Sequence, residues 1–225
     1  KLYPFDSVQS AFTLTTSTIT DPIMITTFAL LALSISVSCE KYVTHEVVPD
    51  VLSKPPVKEL FVEFPSGEEA TLGNQLTPTQ VQKKPRLSWP ADDSALYTVI
   101  MSDPDAPSRE NPTKGEYLHW LVVNVRGSEL STGRTVTHYI GAGPPKGTGP
   151  HRYVISVWKQ DRVQTPDDYG RIVPKTSGDG RPHFKTMDYA RRVTGEEDPR
   201  AVAGNFFSAA YDDYVPLLQK QLGKK

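Results

Sequence analysis

Twenty prolines are spread through the 225 residues of this chain, and they constrain its fold more than any other feature. Proline lacks the backbone N–H that helices and sheets both need, so it favours turns and the edges of sheets over long helices. From residue 47 onward the chain consists of short apolar segments separated by Pro or Gly. This pattern predicts a mainly β fold with many turns and a few peripheral helices.

Several of these segments have the composition of strands. Residues 60–64 alternate apolar and polar side chains, and residues 95–102 are rich in β-branched types. Residues 117–125 and 153–158 are apolar on both faces, which predicts strands buried inside a layered structure. The remaining predictions are an extended, edge-like segment at 76–89, a strand or irregular helix at 201–210, and helices at 184–193 and from 214 onward.

The charges are almost balanced, with 25 Lys and Arg residues against 26 Asp and Glu residues. Nucleic-acid-binding proteins normally carry a basic excess or a basic stripe, so we expect no nucleic-acid partner. Cys39 is the only cysteine, which excludes an intramolecular disulfide and a zinc site built from thiolates. We expect a monomer that depends on packing for its stability and needs no cofactor.

The N-terminal part of the chain has the pattern of a targeting segment. The first methionine is Met24, and residues 25–37 are uncharged, mostly apolar and too few to span a bilayer. Val37 and Cys39 fit the small-residue positions of a signal-peptidase site. We interpret residues 24–39 as a signal peptide of a secreted protein, residues 1–23 as sequence upstream of the natural start, and residues 40–225 as one domain. The alternative is an apolar extension of a cytoplasmic protein, because the basic residues that usually begin a signal are missing.

Two carboxylates, Asp103 and Asp105, directly follow one of the buried strands. Side chains at i and i+2 point the same way on an extended backbone, and the neighbouring prolines favour that conformation. The two acids are therefore candidates for a joint site. The alternative is a Pro- and Asp-rich turn whose acids are solvated.

Two histidines and a glycine-rich turn supply further candidate groups. His119 lies inside a predicted strand, and His151 stands two residues before Tyr153, on the same strand face. Residues 141–149 contain four glycines, and the backbone N–H groups of such a turn can form an anion-binding nest. Each signal also has a structural explanation. A strand histidine can be a hydrogen-bonded core residue, and Pro144 and Pro145 remove two donors from the turn.

Taken together, these segments resemble the phosphatidylethanolamine-binding proteins, also known as Raf kinase inhibitor proteins. The resemblance rests on residues 103–109, on His119 with residues 121–124, and on residues 141–153, with support from 76–81 and 211–216. It spans about residues 50–222, and the motifs occur in the same order as in that family.

The resemblance implies a large central antiparallel sheet packed on a smaller sheet, with a few peripheral helices. It also implies a small surface cavity that binds phosphate-like anions and phosphoethanolamine, and a cis bond between Ala106 and Pro107. The pocket residues implied by motif position are Asp103, Asp105, Tyr117, His119, Gly141, Gly143, Pro144, His151 and Tyr153. Two residues depart from the family pattern, since many animal members have tryptophan at Tyr117 and tyrosine at Lys114.

The chemistry of these residues suggests how a phosphorylated headgroup would bind. Backbone N–H groups of the glycine turn, an imidazole and the Tyr153 hydroxyl can donate to phosphate oxygens. We expect Asp103 to orient an imidazole and Asp105 to lie near the ammonium of ethanolamine. This makes phosphatidylethanolamine or a phosphoethanolamine-like ligand the expected partner, with at most peripheral membrane contact. The alternatives are a protease or kinase inhibitor and, less favoured, a metal-dependent hydrolase.

Overall fold

A computed structural model describes residues 38–223 of the chain. Within these residues the strands are β1 Lys58–Glu59, β2 Phe61–Glu63, β3 Gln75–Leu76, β4 Arg86–Ser88, β5 Leu96–Asp103, β6 Tyr117–Arg126, β7 Arg134–Thr137, β8 His151–Lys159 and β9 Ala203–Ala209. The helices are α1 Val47–Asp50, α2 Pro166–Tyr169, α3 Thr186–Thr194 and α4 Val215–Gln221, with a 3-10 turn at Leu130–Thr132. Residues 38–44 are also helical.

The strands form one large and one small sheet, as predicted. The large sheet has the order β1-β9-β8-β5-β6-β7, and β3 also pairs with β9. Its long strands are antiparallel, whereas the two-residue strands β1 and β3 run parallel to β9. The large sheet is therefore mixed rather than wholly antiparallel. The small sheet consists of the antiparallel pair β2 and β4.

The large sheet is buried on both faces, which explains why its long strands carry apolar residues on both faces. Val99 and Met101 of β5 belong to a core cluster that contains Val62 and Leu87 of the small sheet. Ile100, between them in sequence, belongs to a second cluster with residues of α1 and α3. Successive strand residues point to opposite faces, so a strand between two layers is mainly apolar on both faces.

The helices lie close to their predicted positions. Helix α3 begins at Thr186, two residues after the predicted start, and α4 carries Pro216 in its first turn, where the missing N–H is tolerated. The two acids before α4, Asp212 and Asp213, do not cap it. The N-cap is Tyr214, which makes no side-chain cap, and Asp212 instead accepts a hydrogen bond from the Tyr214 N–H at 3.0 Å.

Other predicted boundaries differ more. The segment 76–89 is extended only at its ends, in β3 and β4. The segment 201–210 forms β9, which resolves the choice between strand and helix. Across residues 38–223, every helix is too short or too polar to span a bilayer. Residues 1–23 and most of the predicted signal peptide lie outside the described residues, so those interpretations stay predictions.

Candidate functional site

A small cavity of about 90 Å³ opens where three neighbouring strands of the large sheet end. Strand β5 ends at Asp103, whereas β6 begins at Tyr117 and β8 begins at His151. Because β5 is antiparallel to both neighbours, these three residues meet at one edge of the sheet. The residues that line the cavity are Asp103, Ala106, Pro107, Lys114, Tyr117, His119, Ile140, Gly143, Pro145, His151, Leu218, Gln219 and Leu222.

Asp103 and His151 form a buried hydrogen-bonded pair in the cavity wall. Oδ2 of Asp103 lies 2.8 Å from Nδ1 of His151, and Oδ1 of Asp103 accepts the N–H of Asp105 at 2.7 Å. Nε2 of His151 lies 3.1 Å from Oγ1 of Thr148, whose hydroxyl donates to the carbonyl oxygen of Pro145. Both ring nitrogens therefore face acceptors, an arrangement that favours a doubly protonated, cationic imidazole.

The electrostatics of the pair agree with this arrangement. Burial by itself opposes the charge on His151, but the hydrogen bond and negative charge of Asp103 outweigh it, so the pKa of His151 is raised. Burial also raises the pKa of the Asp103 carboxyl, although its hydrogen bond with His151 acts in the opposite direction. The pair thus holds its protons more tightly than the free groups do. The expectation that Asp103 contacts an imidazole is confirmed, and the imidazole is that of His151.

Unlike His151, His119 is neutral and presents a hydrogen-bond acceptor to the cavity. Its Nδ1 lies 3.2 Å from the carbonyl oxygen of Ile140 and 3.1 Å from that of Gly141, so Nδ1 carries the proton and donates. Burial lowers the pKa of His119 to about 3, which leaves the ring neutral. Its Nε2, which makes no hydrogen bond within the described part of the chain, is then an acceptor.

Tyr153 and Gly141 support the cavity from behind. The ring of Tyr153 meets that of His119 edge-on at 5.1 Å, and its hydroxyl accepts the Gly143 N–H at 3.3 Å. A side chain at Gly141 would come within 2.6 Å of the carbonyl oxygen of Val81, so only glycine fits there. These two predicted site residues hold lining residues in place without lining the cavity themselves.

Asp105 does not line this cavity and contacts Arg152 instead. Its carboxylate accepts two hydrogen bonds from the Arg152 guanidinium, at 2.7 and 2.9 Å, and a third from the Arg152 backbone N–H at 2.8 Å. This ion pair borders a second, open hollow of about 390 Å³, which Arg109, Glu116 and Lys185 also line. The prediction that Asp103 and Asp105 point the same way is wrong, because the extended backbone ends at Asp103 and the chain then turns.

The nine predicted site residues thus divide into two groups. Those that line the cavity are Asp103, Tyr117, His119, Gly143 and His151. Those that do not are Asp105, Gly141, Pro144 and Tyr153. Pro144 is buried beside the cavity, and the next residue, Pro145, supplies the wall instead. The bond between Ala106 and Pro107 is cis, as the family resemblance implies.

The apolar wall of the cavity was not predicted. Leu218 and Leu222 of the C-terminal segment pack with Ala106 and Ile140 in one buried cluster. The sequence predicts a helix from residue 214 onward, but it does not show which surface that helix covers. The cavity therefore combines a polar end at His151 with an apolar side built by α4.

Sequence reasoning also missed Arg181, which lies behind His119. Its guanidinium is fully buried and donates all five of its N–H groups to carbonyl oxygens at 2.8 to 3.2 Å. The acceptors are the carbonyls of Ser177, Leu118, His119, His138 and Pro174. Within residues 38–223 its hydrogen-bond acceptors include no carboxylate, so a positive charge is buried next to the cavity wall. Burial lowers its pKa to about 10, which still leaves it charged at neutral pH.

This arrangement is suited to a small anion with an apolar part. The polar end offers the His151 imidazole, whose protonated form the Asp103 carboxylate favours, and the apolar side accommodates a hydrocarbon segment. Within residues 38–223, no group of three or more His, Cys, Asp or Glu side chains is arranged to hold a metal ion.

Comparison with known proteins gives a consistent result. Residues 66–207 match the family model described as Phosphatidylethanolamine-binding protein. The chain is 38% identical over 177 residues to a Drosophila melanogaster protein named "Putative odorant-binding protein A5", which covers 79% of this chain and 82% of that protein.

Two solved structures extend the comparison. A carboxypeptidase Y inhibitor, solved in complex with its cognate proteinase, is 27% identical with a TM-score of 0.65 and covers 79% of this chain and 96% of its own. A phosphatidylethanolamine-binding protein from Plasmodium vivax is 26% identical with a TM-score of 0.60, over 78% of this chain and 98% of its own. This chain therefore belongs to the phosphatidylethanolamine-binding protein family.

Proposed function

We propose that this chain is a binding protein for phosphorylated headgroups or similar anions, which it holds in the cavity where β5 ends and β6 and β8 begin. The observation that carries the proposal is the buried Asp103–His151 pair at the cavity wall, whose 2.8 Å contact favours the protonated imidazole. Hydrogen bonds from a charged donor to phosphate are about twice as strong as neutral ones.

The other groups around the cavity support the same ligand class. Nε2 of His151 contacts Thr148, which belongs to an exposed turn between Gly147 and Gly149, so a phosphate oxygen can replace that acceptor. Lys114 is an exposed lining residue and adds a second cation. The acceptor Nε2 of neutral His119 suits an O–H on the ligand, such as the proton of a hydrogen phosphate.

Hydrolysis has less support than binding. The hydrolase alternative requires two Asp and two His side chains that converge on one point. Asp105 is engaged by Arg152 and does not line the cavity, while His119 directs Nδ1 to backbone carbonyls. We therefore propose that the chain is not an enzyme.

An inhibitor role is the second candidate, and one comparison favours it. The carboxypeptidase Y inhibitor that this chain resembles was solved in complex with a proteinase. Such a role involves a protein partner, and it is compatible with the cavity. A pull-down of secreted proteases with the intact chain, with and without phosphoethanolamine, tests whether the ligand controls a partner.

Calorimetric titration of the intact chain with phosphoethanolamine tests the main proposal. We expect His151→Ala and Asp103→Asn each to weaken binding by about tenfold or more, since each removes a charge-assisted hydrogen bond or the group that orients it. His138→Ala is a matched control, because that side chain is exposed and does not line the cavity. Unchanged affinity in both cavity variants, with circular dichroism confirming that they fold, would rule out this site.

A further inference from the structure

We propose that this cavity discriminates against an ammonium group and prefers phosphomonoesters without one over phosphoethanolamine. The inference rests on the proposed function, and it assigns the ligand preference of the same site to two features. One is Lys114 at the cavity wall, and the other is the engagement of Asp105 by Arg152.

The carboxylates around the cavity provide no partner for an ammonium group. Asp103 is the one carboxylate among the described lining residues. Its Oδ2 contacts His151 and its Oδ1 accepts the Asp105 N–H. Asp105, the other candidate partner, is 1% exposed, and both of its oxygens accept hydrogen bonds from Arg152.

Lys114 supplies a positive charge at the exposed part of the cavity wall. Its backbone N–H donates to the Ala106 carbonyl at 2.9 Å, and its own carbonyl accepts the His183 N–H at 3.2 Å. These bonds fix the backbone beside the Ala106–Pro107 turn, while the side chain is exposed and lines the cavity. With phosphate at His151, an ammonium on the substituent meets this like charge, and like charges disfavour a ligand.

Arg181 adds a further positive charge near the cavity. Its buried guanidinium donates to the backbone carbonyls of Leu118 and His119, and it has no carboxylate partner among residues 38–223. Among the lining residues, Lys114 carries a positive charge and Asp103 is the one carboxylate, while the charges of Asp105 and Arg152 cancel in their ion pair and Arg181 adds a cation behind the wall. The net charge is positive, which favours a dianionic phosphomonoester over one that carries its own cation.

A pair of isosteric ligands tests the preference. Propyl phosphate and phosphoethanolamine differ by a methyl group in place of the ammonium, so their affinities for the intact chain, measured by calorimetry, isolate the effect of that charge. We expect propyl phosphate to bind about five- to tenfold more tightly at low salt. In Lys114→Gln the preference should fall to about twofold or less, whereas Lys58→Gln, an exposed lysine on β1, should retain it.

The outcomes separate this inference from the proposed function. Equal or tighter binding of phosphoethanolamine, or a preference that survives Lys114→Gln, overturns the inference and leaves an anion site in place. Failure of both ligands to bind overturns the proposed function itself. Inorganic phosphate, and vesicles of phosphatidylcholine with added phosphatidic acid or phosphatidylethanolamine, then distinguish a free phosphate from a lipid headgroup. Preferential capture by the phosphatidic acid vesicles supports a lipid source.

Discussion

Replacing Arg181 with methionine is expected to lower the free energy of unfolding by about 3 to 5 kcal/mol. Methionine has a similar length but no donors, so five carbonyls lose the hydrogen bonds that the buried Arg181 side chain now makes to them. These carbonyls belong to three separate parts of the chain, around residues 118–119, 138 and 174–177. Arg181 thus joins β6 to two loops, and no neighbouring side chain can replace all of its donors.

Urea denaturation followed by circular dichroism measures this loss. Arg134→Met is the matched control, because Arg134 is exposed on β7, and its cost should stay within about 0.5 kcal/mol. Arg181→Lys keeps the charge but offers three donors, so an intermediate cost is expected. A loss below about 1 kcal/mol in Arg181→Met would contradict the assignment of Arg181 as a structural cation.

Asp105→Asn is expected to cost about 3 kcal/mol of folding stability while leaving phosphoethanolamine affinity within about threefold of the unchanged chain. The carboxylate is buried and neutralises Arg152, which is itself 4% exposed. Arg152 also donates to the carbonyls of His45 and Glu46, at 2.9 and 2.7 Å, and so ties the segment before α1 to β8. Asp50 remains as a partner at 2.8 Å, but it is largely solvated and compensates only in part.

Asp103→Asn is the informative comparison. The two acids are only two residues apart, but we expect Asp103→Asn to lower ligand affinity and Asp105→Asn to lower stability, because they contact different groups. Asp213→Asn controls for the substitution itself, since Asp213 is exposed. Stability from urea denaturation and affinity from calorimetry are measured on the same samples. A large loss of affinity without a loss of stability in Asp105→Asn would contradict this account and indicate that Asp105 contacts the ligand.

The sequence was sufficient to predict the large sheet because its long strands have a strong pattern. Strands β5, β6 and β8 are apolar on both faces, and only a layered structure buries both. The parallel strands β1 and β3 were missed because two residues carry no periodicity. Their pairing is decided by β9, which lies more than a hundred residues further along the chain.

The sequence predicted several residues of the candidate site but not the directions in which their side chains point. The residue spacing predicted that Asp103 and Asp105 point the same way. Because the chain turns after Asp103, the Asp103 carboxylate contacts His151 and the Asp105 carboxylate contacts Arg152. No local pattern marks Arg181, since its partners are backbone carbonyls from loops and a strand. The same holds for α4, whose leucines predict a helix face but not the cavity that the face covers.

Chemical-shift mapping of the intact chain with phosphoethanolamine tests the central claim most directly, because it locates the bound anion. We expect the largest changes in backbone ¹H–¹⁵N signals at Gly143, His151 and Lys114, around the 90 Å³ cavity. Changes confined to the hollow lined by Arg109 and Lys185, or no changes at all, would contradict the assignment of the anion site to the Asp103–His151 pair.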